Sequence, residues 1–254
     1  MSNEKVNQGS FVEHLTELRS RLLKSIAYFF VFFIISYFFA ENIYTFLVEP
    51  YAKAVENDPT NRRLIYTAVH ETFITNLKVA FFSSIFITSP IILLQVWKFI
   101  APGLYKNEKR ALLPYLIATP VLFLLGGMLV YFLVMPLAIK FFLSFETTTQ
   151  ISTLPIQLEA KVNEYLSLIM RLIFAFGLSF QLPVLLSLLA RAGFIDSVYL
   201  KRRRKYVIVI IFSAAAILTP PDPITQIGLG IPLLILYELS ILTVKLIEKK
   251  KKDA

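Results

Sequence analysis

Six apolar stretches follow one another through this chain, and no connection between them is long enough to bury a core of its own. That succession leaves few folds open. With 56% hydrophobic side chains, 23 Phe and a mean hydropathy of +0.66, the 254 residues are too apolar for a soluble domain of this size. The expected fold is an all-α polytopic membrane protein, a single membrane domain over residues 1–254. An amphipathic helix at 10–22 leads into spans at about 22–44, 73–99, 111–137, 162–190, 205–219 and 226–245. The last two are short. Tyr206 to Leu218 is an apolar run that rises only about 20 Å at about 1.5 Å per residue. Either the bilayer thins around this pair or it forms a re-entrant hairpin joined by TPPDP; six spans are favoured over four.

The net charge of +9 would suit nucleic acid if the bases were spread over one soluble face. They cluster instead in the N-terminal helix, Lys98 to Arg110, Arg191 to Lys205, and Lys245 to Lys252, alternating with base-poor connections. By the positive-inside rule those four regions, and with them both termini, belong on the cytoplasmic side, and nucleic acid is set aside. Cysteine is absent, so disulfides, thiol chemistry and cysteine-ligated metals are excluded. No cleavable signal peptide is read at the start.

Polar groups near the membrane carry whatever chemistry there is. In Ser10 to Leu22, Phe11, Leu15, Leu18 and Leu22 make an apolar stripe, Glu13 and Glu17 lie one turn apart beside it, and Ser10 with Glu13 fits a capping box that would start the helix. Glu17 stands four residues before Arg21, the favourable order for a plain intrahelical pair. In the compact loop Ile100 to Arg110, Pro102 and Gly103 force a turn, and Glu108 stands among Lys106, Lys109 and Arg110, any of which could neutralise it. In span three, Pro114, Pro120, Pro136 and Gly126-Gly127 either bend the helix or admit a close neighbour. Gln181, mid-span, needs a partner within the bundle or on another subunit's helix, and both remain open. Arg171 is expected to pair with Glu164 at the outer interface, and Glu238 to sit two turns from Lys245. No H-E-x-x-H, G-x-S-x-G or Walker loop is present, so neither an enzyme nor a bound cofactor is expected.

Four segments, EHLTELRSRL, SPIILLQVWKFIAPGLYKNEKR, FGLSFQLPV and TPPDPITQ, resemble in order those of the TatC family, the signal-recognising subunit of the twin-arginine protein translocase. The resemblance implies six transmembrane helices with cytoplasmic N and C termini and a short final pair. It also implies a receptor and core scaffold that binds twin-arginine signal peptides of folded cargo proteins. Such a scaffold assembles TatA/TatB-type single-span subunits into an oligomeric complex for proton-motive-force-driven export, in contact with membrane lipid of the bacterial inner membrane. By motif match, the signal-reading carboxylates would be Glu17 in LTELR and Glu108 in YKNEKR, with Arg19, Phe99, Pro102, Lys106 and Arg110 around them. Gln181 would contact partner subunits, at a position where many members carry Glu; an amide keeps hydrogen bonding but cannot titrate.

A carboxylate can separate arginine from lysine by bidentate geometry. Two exposed pairs at up to about 1 kcal/mol each, however, give only about thirtyfold preference. Selective reading therefore needs partial desolvation or contact with the signal's apolar segment, for which Phe99 and the N-terminal stripe are the candidates. The alternative is a small-solute secondary transporter, which the scarcity of central charges and the lack of internal repeats argue against.

Overall fold

A computed structural model of the chain describes the backbone of residues 2–56, 63–104, 109–146, 157–218 and 223–252, with side chains at 15–56, 63–97, 113–146, 157–217 and 223–249. The described residues are almost wholly helical: α1 (Ser2–Phe38), α2 (Ala40–Val55), α3 (Glu71–Leu104), α4 (Lys109–Leu129), a π-helical segment (Val130–Val134), α5 (Met135–Leu143), α6 (Val162–Ser179), α7 (Leu182–Arg191), α8 (Ser197–Leu218) and α9 (Pro223–Lys252). Five stretches are long and apolar enough to cross a membrane: Leu15–Phe38, Glu71–Trp97, Leu113–Leu143, Val162–Arg191 and Pro223–Lys249. The sixth candidate, α8, opens on the basic run Lys201 to Lys205 and keeps only its C-terminal part apolar.

Proline chemistry sets the interruptions. Pro136 has no N–H to give to the preceding turn, and its ring crowds the carbonyl four residues back. The helix widens just before it, Met135 N–H bonding back to Val130 O, and then continues as α5. Pro183 divides the fourth span in the same way, with Phe180 and Gln181 at the bend between α6 and α7. Gly126 serves close approach: a β-carbon there would lie 2.7 Å from the Phe176 carbonyl oxygen of α6. Helix α2 covers one end of the bundle. Its Leu47 and Tyr51 are buried, the Tyr165 hydroxyl donates to Leu47 O at 3.0 Å, and the Tyr131 hydroxyl donates to Phe46 O and to Glu49, both at 2.9 Å.

Cross-helix bonds bring the basic clusters to the opposite end. The start of α1 meets the last turns of α3 through Arg21 and Gln95. Glu248 near the end of α9 accepts from Ser197 N and Oγ at the start of α8, both at 2.6 Å. Glu238 of α9 pairs with Arg204 of α8 at 2.5 Å, and the Tyr237 hydroxyl donates to Leu200 O at 2.8 Å.

Several expectations are corrected. α1 passes through Ser10 without a start there, because nothing upstream breaks a helix and the capping box has no end to cap. α3 carries through Pro102 and Gly103 to Leu104, so those two residues continue the helix instead of turning it; 105–108 lie outside the described residues. Glu164 is 3.8 Å from Lys161 and makes no ion pair with Arg171, and the partner of Glu238 is Arg204 rather than Lys245. The reason is common to both pairs. Residues seven apart share a helix face but stand about 10 Å apart along the axis, beyond ion-pair reach.

Candidate functional site

The site grows from one face of α1 against α3. Leu15, Leu18 and Leu22 remain exposed, so the stripe read in the sequence is not consumed by packing within the chain. Beside it the Glu17 carboxylate, 37% exposed as a side chain, takes both Nε (3.0 Å) and Nη2 (2.5 Å) of Arg21 on Oε1. The remaining arm of the fork, Nη1, donates to Gln95 Oε1 of α3 at 2.9 Å, and Ser25 Oγ caps the Arg21 carbonyl at 3.0 Å. A guanidinium thus sits between a carboxylate and an amide at the junction of two helices, all of its polar edges engaged.

Below this network runs a groove of about 480 Å3 between α1 and α3, lined by Leu18, Leu22, Ile26, Phe29, Ile92 and Val96, with Arg21 and Gln95 at its mouth. The wall is almost wholly apolar. A carboxylate paired to an arginine that lines an apolar trough suits a ligand that is cationic at one end and hydrophobic along the rest. Both halves of that arrangement are local to α1 and the last described turns of α3.

The other expected site residues are placed differently. Arg19 is exposed, and at two residues from Glu17 it projects from the far side of α1, so the structure does not bring the two together. Lys106 and Glu108 lie outside the described residues. Phe99 and Pro102 fall in the last turns of α3 and Arg110 in the first turn of α4, and their side chains lie outside the described ones. Gln181 is buried, 6% exposed, with Nε2 donating to Thr119 O of α4 at 2.9 Å. Its amide is held by its own bundle at the α6–α7 bend. Gln95 went unnoticed in the sequence reading. The available signal was an amide alone in the apolar run Val79 to Val96, where such a group needs a partner on another helix.

Comparison with known proteins adds the following. A family model described as Sec-independent protein translocase protein (TatC) matches residues 13–232. The chain is 47% identical over 246 residues to the Sec-independent protein translocase protein TatC of Magnetococcus marinus, covering 97% of this chain and 88% of that one. It is 45% identical over 239 residues to the namesake from Rickettsia prowazekii, 94% of each being covered, and 38% identical over 232 residues to that of Escherichia coli K12, covering 91% and 86%. Among solved structures, a crystal structure of the twin-arginine translocase receptor TatC superposes with a TM-score of 0.78 at 39% identity, covering 92% of this chain and 99% of that one. The small-solute transporter alternative finds no support in any of these likenesses.

Proposed function

The chain belongs to the TatC family of Sec-independent protein translocase proteins, and we propose that it is the receptor that reads twin-arginine signal peptides through Glu17 and Glu108. It spans the membrane six times, α8 and α9 forming the last pair, of which α9 is long rather than short as expected, with both termini and all four basic clusters on the cytoplasmic side. The expected membrane is the bacterial inner membrane. The observation that carries the reading is the Glu17 carboxylate paired to Arg21, a residue that lines the apolar α1–α3 groove.

A signal arginine takes the carboxylate, and the apolar segment behind it lies along the groove and the exposed stripe of α1. That combination supplies the desolvation which two surface pairs alone lack. Phe99, Pro102, Lys106 and Arg110 complete the surroundings, and Arg19, on the far side of α1 from Glu17, stays apart from them. TatA/TatB-type single-span subunits assemble on the same scaffold and form the passage for folded cargo. Gln181 serves that assembly indirectly, by fixing the α6–α7 bend against Thr119, and as an amide it does not titrate.

The test is equilibrium binding of a labelled twin-arginine peptide and its twin-lysine counterpart to the full chain in nanodiscs, with wild type and with Glu17→Gln combined with Glu108→Gln. The expected result is an arginine preference that collapses in the double variant. An unchanged preference refutes the assignment of these two acids.

A further inference from the structure

A second groove lies toward the opposite end of the bundle. There α3 and α6 begin side by side, because the segments ahead of them are joined by Ile65 N to Ala160 O and Val162 N to Ile65 O, both 3.1 Å. Between these helices and α1 runs a cavity of about 450 Å3 lined by Phe33, Leu77, Phe81, Phe82 and Met170, with Lys78 on its wall. One cation, Lys78, lines this otherwise apolar surface, and a second, Arg171, adjoins its lining residue Met170 on α6. Lys78 is exposed and its Nζ donates to Asn163 Oδ1, in the first turn of α6, at 2.6 Å. Arg171 follows Met170 and is exposed; among the described residues it has no ion-pair partner, since Glu164 faces Lys161 at 3.8 Å.

Depth says where these charges go. The stretches Glu71–Trp97 and Val162–Arg191, of 27 and 30 residues, rise about 40 and 45 Å against a hydrocarbon core of about 30 Å. With the overhang shared between ends, the Cα atoms of Lys78 and Arg171 lie about 5 to 6 Å below the hydrocarbon boundary. Helical side chains tilt toward the N-terminus, and for both helices that is the boundary side. The bond from Lys78 back to Asn163 shows that tilt directly. Both charged heads therefore reach the headgroup layer while their stems line apolar surface.

The groove is open along its length and almost wholly apolar, so an acyl chain can lie in it. We propose that this groove binds an anionic phospholipid, its acyl chain along Phe33, Phe81 and Met170 and its phosphodiester between Lys78 and Arg171. The cations Lys78, Arg171 and Lys161 outnumber the two carboxylates beside them, Glu164 and Glu71, the latter accepting from the Asn163 backbone N–H, which favours a headgroup without a compensating amine. This site does not depend on the signal-peptide reading.

Native mass spectrometry of the purified full chain, with phosphatidylglycerol added in detergent, tests it. One phosphatidylglycerol should be retained in preference to phosphatidylcholine. Lys78→Gln and Arg171→Gln should each weaken it about fivefold and together about thirtyfold, while Lys78→Arg with Arg171→Lys retains it. Lys201→Gln with Lys205→Gln, at the other end, should leave this lipid in place. Ser167→Leu, which narrows the groove and spares both cations, should expel it. Retention in either the double glutamine variant or Ser167→Leu overturns the proposal, as does equal binding of diacylglycerol or displacement by excess inorganic phosphate.

Discussion

Replacing Arg21 by glutamine should tighten the binding of a twin-arginine peptide. In the structure, two arms of the Arg21 fork rest on Glu17 Oε1, so a signal arginine finds its carboxylate already taken. A half-exposed i,i+4 pair of this kind is worth about 0.3 to 1 kcal/mol. Arg21 is then off the carboxylate for between about one third and one sixth of the time, and the apparent affinity is lowered by the same factor. Removing Arg21 should therefore strengthen twin-arginine binding about three- to sixfold, with little change for a twin-lysine peptide. The assay is a titration in nanodiscs at fixed salt, with three controls. Lys24→Gln carries the same change of charge one turn along α1. Gln95→Leu removes only the bond from Arg21 Nη1. Glu17→Gln combined with Arg21→Gln should abolish the gain. A weaker or unchanged affinity in Arg21→Gln, with thermal stability preserved, would show that Arg21 orients the carboxylate instead of competing for it.

Three further outcomes follow from the packing. Gly126→Ala forces a β-carbon against the backbone of Phe176 and should lower stability by up to about 2 kcal/mol, an overpacking loss partly offset by helix propensity. Gly127→Ala meets only the end of the Phe86 ring and should cost less, and thermal midpoints in the reverse order would contradict the close α4–α6 crossing. Glu49 is held below the ordinary carboxylate range by its bonds to Lys53 and then Tyr131, so its contribution to stability is whole above its ordinary value and is lost as pH falls through the lowered one. Thermal midpoints on acidification should decline less in Glu49→Gln than in wild type, and identical declines would remove Glu49 from the account. Gln181→Leu should cost less than about 1 kcal/mol, because the lost bond to Thr119 is partly offset by removing the buried Oε1, which lacks a partner among the described residues.

What was legible in the sequence was what depends on neighbours along one helix. Glu17 and Arg21, four apart in the favourable order, pair as their spacing implied. Pro136 announced its interruption and Gly126 its close neighbour, because those effects arise from single residues, whereas Pro114 and Pro120, read the same way, sit inside an unbroken α4. Partners chosen across space were not legible. Nothing in the spacing ties Arg21 to Gln95, Glu238 to Arg204, or Glu248 to Ser197, since those bonds depend on which helices lie side by side. Reading shared faces as contacts produced the pairing errors at Arg171 and Glu238. Half of the candidate site was nameable from the LTELR motif, but the groove below it exists only once α1 has packed on α3.

The account turns on whether Glu17 touches an arginine of the signal. The most direct measurement is a double-mutant cycle in which wild type and Glu17→Gln are each titrated with twin-arginine peptide and with peptides carrying lysine at one arginine or the other. Direct contact predicts that at one of the two positions the arginine-to-lysine penalty shrinks by about fivefold or more in Glu17→Gln, a coupling of about 1 kcal/mol. Equal penalties in both proteins at both positions, with no coupling, would mean that Glu17 serves Arg21 alone and that the signal is read elsewhere.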